Sequence, residues 1–237
     1  MAEPGESIEA EKRAAAEAAV TEVVDGMLIG LGTGTTAAHA IAAIGRRVAA
    51  GLRIEAVATS EQSAAAARAL GITVRDFADV AAIDLAIDGV DEIDPGFRAI
   101  KGAGGAMLRE KIVAASAARM IVVADHGKAV TRLGVRAVPV EVLPFARSFV
   151  ADRIAALGGE PVLRQGADGS AWRSDQGNLV LDCRFGIDED WRRIADALAA
   201  IPGQLGHGLF LDEIDALYLA TADGVKRRDR TASLQDE

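Results

Sequence analysis

Short apolar runs that end in glycine, threonine or aspartate, each followed by an alanine-rich helical stretch, constrain this chain more than any other feature. Met27-Leu-Ile-Gly-Leu31 runs into Gly32-Thr-Gly-Thr-Thr36 and then a helix over Ala37–Ile44. Ile54-Glu-Ala-Val-Ala58 ends at Thr59-Ser60, and a helix over Glu61–Leu70 follows. Gly71 stops that helix, and Ile72-Thr-Val74 begins another extended segment. Asp84–Asp88 and Met120–Asp125 are further apolar strands, separated by a helix over Gly105–Ala118. Upstream, Ser7 is placed to cap a helix that runs through Ala10 to about Val24 and ends near Gly26. Strands without polar alternation, alternating with helices, predict an α/β fold with a parallel sheet covered on both faces. The 50% apolar but only 4% aromatic content suits aliphatic helix-on-sheet packing better than a β-sandwich.

After about Arg132 the rhythm changes. Val138-Pro-Val-Glu-Val-Leu-Pro144 is extended, and its prolines predict an edge strand. A helix over Ala146–Leu157 closes at Gly158-Gly159, two strands flank Gly166–Ser170, and a helix over Glu189–Ala200 ends at Pro202-Gly203. This β-α-β-β-α order resembles a split βαβ, ferredoxin-like unit. Ala216–Thr221 then reads as a core strand that returns to the first unit. The 237 residues accommodate a main domain with a smaller partner. The division predicted is a Rossmann-like domain of residues 1–132 and 205–237 around an inserted α+β domain of 133–204. Helix stripes containing Ile112, Ile154 and Leu198 read as core, and the charged Arg227–Glu237 tail as mobile.

Several function classes are disfavoured. A net charge of −9 does not suit a nucleic-acid binder, which needs a basic face, although it permits a local site for a small phosphorylated ligand. Cys183 is the only cysteine and sits in a strand pattern, so neither an intrachain disulfide nor a cysteine metal cluster is expected. His39, His126 and His207 have no ligand spacing, and no metal site is assigned. The amino terminus lacks a signal-peptide pattern and no apolar run reaches spanning length, which leads to the expectation of a soluble cytoplasmic protein with no membrane contact.

Chemistry concentrates between Asp88 and Glu110. Asp88-Gly89-Val90-Asp91 lies just past a strand, where ligands gather in open α/β sheets, followed by Lys101-Gly102-Ala103-Gly104-Gly105 and by Glu110 in the first turn of a helix. Taken singly, Asp-Gly-x-Asp is an ordinary turn, Glu110 an ordinary N-terminal helix acid, and Lys101 a solvated loop charge. Together they bring carboxylates, an ammonium and exposed N–H groups to one crevice, as proton transfer on a polar substrate requires. Gly32-Thr33-Gly34-Thr35-Thr36-Ala37 exposes N–H groups and hydroxyls at a helix N-terminus. A single-phosphate cradle is favoured there, with a structural turn and a dinucleotide site as the alternatives, since Thr59 and Ser60 stand where a ribose-binding acid is wanted. Lys128, after Asp125-His-Gly, either reaches the same crevice or marks a surface turn; Lys12, on the first helix, reads more readily as solvated.

These motifs, with Arg109-Glu-Lys, Pro139-Val-Glu-Val, Gly208-Leu-Phe and Asp223-Gly-Val, occur in order over nearly the whole chain and resemble those of the type A ribose-5-phosphate isomerases. The resemblance implies interconversion of ribose 5-phosphate and ribulose 5-phosphate in the non-oxidative pentose phosphate pathway. It implies a cis-enediolate, no metal or organic cofactor, and a homodimer or tetramer associated partly through the smaller domain. Residue by residue, it implies Glu110 as proton acceptor, with Asp88, Asp91 and Lys101 as catalytic and sugar-binding groups. Thr33, Gly34, Thr35 and Thr36 fall on its substrate loop, and Lys128 and Lys12 on further substrate contacts. Gly89, Val90, Gly102, Ala103 and Gly104 complete the expected substrate-binding wall. Thr35 stands where serine is usual and Val90 where alanine is usual, and both keep the needed backbone. Burial is expected to raise the Glu110 pKa, with Lys101 and the helix terminus holding the rise to a modest one. Two rivals share similar folds. A sugar-phosphate sensor would need a DNA-binding module that the roughly 25 residues before the first strand cannot hold. An acyl-CoA transferase would not need the Lys101 and Asp88/Asp91 set.

Overall fold

The computed structural model describes residues 4–187 and 189–230. Along the chain these form α1 (Pro4–Val20), β1 (Leu28–Leu31), α2 (Thr35–Ala49), β2 (Glu55–Ala58), α3 (Glu61–Ala69), β3 (Thr73–Val74) and β4 (Leu85–Gly89). There follow β5 (Glu92–Ile93), β6 (Ala99–Ile100), α4 (Met107–Ser116), β7 (Met120–Asp125), β8 (Val138–Val142), α5 (Arg147–Ala156), β9 (Glu160–Leu163) and β10 (Leu179–Arg184). The last elements are α6 (Trp191–Ala199), β11 (Gln204–His207), β12 (Leu209–Phe210), β13 (Ala216–Thr221) and β14 (Gly224–Asp229).

The main sheet has the order β14-β13-β7-β4-β1-β2-β3, with every pair parallel except β13–β14. Its strands are buried on both sides, which is why they lack polar alternation. Along β7, Ile121 and Val123 face the cluster formed with α1 and α2, whereas Met120, Val122 and Ala124 face the cluster that includes Val113 of α4. The chain winds outward from β1 through β2 to β3, then restarts on the other side with β4. That reversal opens a crevice between the carboxyl ends of β1 and β4. The chain is thus α/β, as the alternation of runs predicts.

The second sheet, β11-β8-β10-β9, is antiparallel throughout. Val138, Val140, Val142, Leu181 and Cys183 pack there with Ile154 of α5 and with Trp191, Ile194 and Leu198 of α6. The prolines predict β8 at an edge, but it lies inside the sheet. Pro139 is tolerated because the β11 ladder ends at His207↔Val140, and the next contact uses only the Pro139 carbonyl, which accepts from Gly208 N at 2.8 Å. The missing N–H therefore falls just past a ladder end.

Other expectations need adjusting. α1 starts at Pro4, so Ser7 lies inside it, and it stops at Val20 rather than near Val24. Ile112 is 45% exposed and is not core, unlike Ile154 and Leu198. Arg227–Asp229, taken with the charged tail, instead form the end of edge strand β14, whose side chains are largely exposed; residues 231–237 lie outside the described ones. A small sheet, β12-β6-β5, leaves no periodic signal in the sequence because its strands are two residues each. Among the described residues no helix is long and apolar enough to cross a membrane.

Candidate active site

At the β1–β4 crevice the backbone itself sets the geometry. Gly32 passes so close to β4 that a Cβ there would lie 2.0 Å from Asp88 Oδ1 and 2.6 Å from Asp88 Cα. Only glycine permits this approach. Just beyond, Asp88 Oδ1 accepts hydrogen bonds from Thr33 N (3.0 Å) and Gly89 N (2.7 Å), which ties the two strand ends together. Thr33 Oγ1 lies 2.7 Å from Thr59 Oγ1 at the end of β2. Thr35 opens α2, with no acid in its first turn and no side chain capping it. The helix thus presents free N–H groups and its positive dipole end to the crevice. Lys12 reaches over from α1, its Nζ donating to Thr35 Oγ1 at 3.1 Å.

Lys101 enters from the other side, past β6. Its backbone N–H donates to the Gly208 carbonyl at 2.8 Å, and its Nζ donates to the Gly89 carbonyl. The ammonium lies 3.0 Å from Asp88 Oδ2 and 3.3 Å from Glu110 Oε2. All three side chains are buried, exposed by 2% for Asp88 and Lys101 and 4% for Glu110. Among the described residues neither carboxylate oxygen has a hydrogen-bond partner of good geometry. Gly102 turns the chain with φ +104°, and Ala103 N donates to Asp91 Oδ2 at 2.8 Å.

A cavity of about 240 Å³ occupies the centre, lined by Thr33, Gly34, Thr35, Thr36, Gly89, Val90, Asp91, Lys101, Gly102, Ala103, Gly104, Glu110 and Lys128. Every wall residue is one that motif and resemblance single out. Asp88 lies beneath the wall against Lys101, and Lys12 stands behind Thr35. Lys128 is carried by a single tight turn after β7, which Asp125 caps and which Glu11 of α1 ties down through His126 (2.6 Å). Arg164, unflagged by any motif, touches the outside of the glycine run: its Nη1 donates to the carbonyls of Gly102 (3.2 Å) and Ala103 (3.0 Å). It sits in an ordinary strand-to-turn stretch, and only the second sheet's fold brings it there.

The electrostatics are those of two carboxylates sharing one ammonium in a desolvated space. Burial, then the charge of Asp88, pushes Glu110 up to about 8, against the pull of Lys101. Asp88 is likewise raised by burial, with Lys101 opposing. Burial pulls Lys101 down, but Asp88 and Glu110 together outweigh it and hold the ammonium above its usual range. The rise at Glu110 is larger than the modest one expected, because both acids are removed from water and lean on the same cation. Cys183 is buried and its thiol is raised by burial, which fits a packing residue. Among the described residues no group of three His, Cys, Asp or Glu side chains is arranged to hold a metal ion.

The arrangement offers an anion cradle, a buried acid–base group and a fixed cation at one small cavity. The family described as ribose 5-phosphate isomerase A (phosphoriboisomerase A) matches residues 55–224. The ribose-5-phosphate isomerase A of Sphingopyxis alaskensis is 50% identical over 221 residues, covering 93% of this chain and 96% of the relative. That of Haloarcula marismortui is 50% identical over 222 residues, covering 93% and 96%. Among solved structures, ribose 5-phosphate isomerase A from Methanocaldococcus jannaschii superposes with a TM-score of 0.89 at 34% identity, covering 93% of this chain and 99% of that one. A D-ribose-5-phosphate isomerase in complex with phospho-erythronic acid gives a TM-score of 0.90 at 35% identity, covering 94% and 99%. With the family pattern spanning most of the chain and half of its residues shared with such relatives, the chain belongs to the ribose 5-phosphate isomerase A family.

Proposed function

We propose that the buried Asp88–Lys101–Glu110 constellation is where this chain works as an aldose–ketose isomerase that interconverts D-ribose 5-phosphate and D-ribulose 5-phosphate. The observation that carries the assignment is the single ammonium of Lys101 held between two buried carboxylates at the wall of a sugar-sized cavity. Glu110 takes the proton from C2 of the open-chain aldose and returns it to C1 through a cis-enediolate. One carboxylate suffices because the two carbons are adjacent and on one face. Charge developing on the enediolate oxygens is met by Lys101, already desolvated and fixed by three oxygen contacts. Asp91, held by Ala103 N, and Asp88 assist ring opening and the exchange of a proton between O1 and O2. The phosphate sits against Thr33–Thr36 at the α2 N-terminus, with Lys128 and Lys12 completing its charge balance and Gly89, Val90, Gly102, Ala103 and Gly104 shaping the sugar channel.

No step needs a metal, so turnover should persist after exhaustive chelation; a loss restored by a divalent ion would reverse this assignment. We also assign a cytoplasmic location and a homo-oligomer, dimer or tetramer. An apolar surface at Leu143, Phe145 and Phe149 of the second sheet's layer, with Phe145 97% exposed, supports association with a second copy. The units assigned as domains are residues 1–132 with 205–237 and residues 133–204; strand β11 crosses that boundary to pair with β8. The direct test is incubation of the purified protein with ribose 5-phosphate and detection of ketose. Absence of ketose under conditions where ribose 5-phosphate binds would overturn this assignment.

A further inference from the structure

Arg164 lies outside the cavity, yet its bonding leads into it. The guanidinium forms a fork with Asp182, Nε to Oδ2 at 2.9 Å and Nη2 to Oδ1 at 2.5 Å. Its remaining Nη1 donates to the Gly102 carbonyl at 3.2 Å and the Ala103 carbonyl at 3.0 Å. The Gly102 carbonyl and the Ala103 N–H belong to one peptide group, and that N–H donates to Asp91 Oδ2 at 2.8 Å. A guanidinium on one side of a peptide and a carboxylate on the other polarise it in the same sense, so the two hydrogen bonds strengthen each other. Behind Arg164 stands Trp172, with the guanidinium 5.5 Å from its ring centre. The indole also fills the space beside Gly105, where a Cβ would lie 2.0 Å from Cη2. The Arg164 side chain is only 14% exposed and its fork is fully used, so it has little freedom to do anything but hold this peptide.

We infer that Arg164 is a positioning residue for the isomerisation: together with Asp182 it fixes the Gly102–Ala103 peptide and, through it, the orientation of Asp91 toward the sugar. The inference rests on the assignment of Asp91 to the site. Glycine at 102 and 104–105 leaves this wall without side-chain anchors of its own. The second sheet supplies the anchor that the main sheet lacks. Two sheets distant in sequence are thereby coupled at a catalytic wall through one guanidinium.

The test is a double-mutant cycle of Arg164→Met and Asp91→Asn, with kcat and KM for ribose 5-phosphate measured alongside melting temperature. Arg164→Met is expected to lower kcat about 10-fold or more with a smaller change in KM, since misplacement of a reacting-site group acts on the chemical step. In the Asp91→Asn background the same change should have little further effect on kcat, because residues acting through one another are non-additive. Arg164→Lys keeps the charge but cannot span both Asp182 and the two carbonyls, and should fall between Arg164→Met and the unaltered protein. A lowered melting temperature with unchanged kcat, or losses that multiply in the double variant, would show a merely structural contact. If Arg164→Met does not fold, the same cycle run with Arg164→Lys decides between these outcomes. Normal turnover by Asp91→Asn alone would instead overturn the assignment of Asp91, a failure distinct from that of the inference.

Discussion

Glu110 Oε2 lies 3.3 Å from Lys101 Nζ, although the two residues come from different segments, one from the first turn of α4 and the other from just past β6. The glycine run between them folds the chain back, so that an acid and an ammonium meet with nearly no solvent. Asp88 joins the same ammonium from β4 at 3.0 Å. An ion pair this buried is costly unless its geometry is held, and one carboxylate too many leaves a site ready to bind a proton.

Glu110→Gln should therefore keep the shape of the site and remove the group proposed to accept the proton. At least about a 10²-fold loss in kcat is expected, the lower range for general acid–base groups. Binding of a sugar-phosphate analogue, measured calorimetrically, is expected to survive. Near-normal turnover, in a preparation free of host isomerase, would transfer the base role to Asp88 or Asp91.

The pH dependence follows from the same pairing. Burial and Asp88 push Glu110 up to about 8, and a carboxylate proposed as proton acceptor has to be ionised in the free enzyme. Below that value the protonated fraction grows, so kcat/KM should rise with pH through neutrality and level off only above about 8. The limb reports the coupled acids rather than one residue alone. A profile flat from pH 5.5 to 9 would remove this account of the site.

Thr36→Val and Lys128→Ala should act on substrate engagement. Both residues line the cavity, Thr36 from the first turn of α2 and Lys128 from the turn after β7. Lost contacts that are equal in ground and transition states raise KM and leave kcat nearly unchanged. Steady-state kinetics separate the cases: a collapse of kcat at constant KM would place these residues in the chemical step.

Much of the cavity wall was legible because it is made of local motifs. Gly32–Thr36 and Asp88–Asp91 each follow a run of buried residues, and the ends of parallel strands must meet at the winding reversal. Glu110 and Lys101 share one short stretch with glycines that only a tight turn explains. Arg164 was not legible, since its contact with the glycine run depends on how β9 is placed against that segment, and nothing near it in sequence records that. The interior place of Pro139 was missed for a similar reason: whether a missing N–H matters depends on where the neighbouring ladder stops. Strands of two residues, such as Glu92–Ile93, are too short to carry a period.

The raised Glu110 also has a consequence for stability. In the unfolded chain this carboxyl titrates near its ordinary value of 4.5, whereas in the folded protein it holds its proton up to about 8. The folded state therefore binds the proton more tightly, and the stabilisation this brings is full below pH 4.5. It is lost progressively as pH rises through about 8. Glutamine cannot ionise and loses nothing over that range. Glu110→Gln should thus melt close to the unaltered protein at pH 5 and increasingly above it as pH approaches 9. The gap expected at pH 9 is at least about 3 °C, which corresponds to ~1 kcal/mol in a chain of this size. Differential scanning calorimetry at several pH values measures it directly. A gap that stays constant with pH would mean that Glu110 is ionised in the folded protein well below neutrality, held so by Lys101, and the acid limb predicted for catalysis would then have to belong to Asp88.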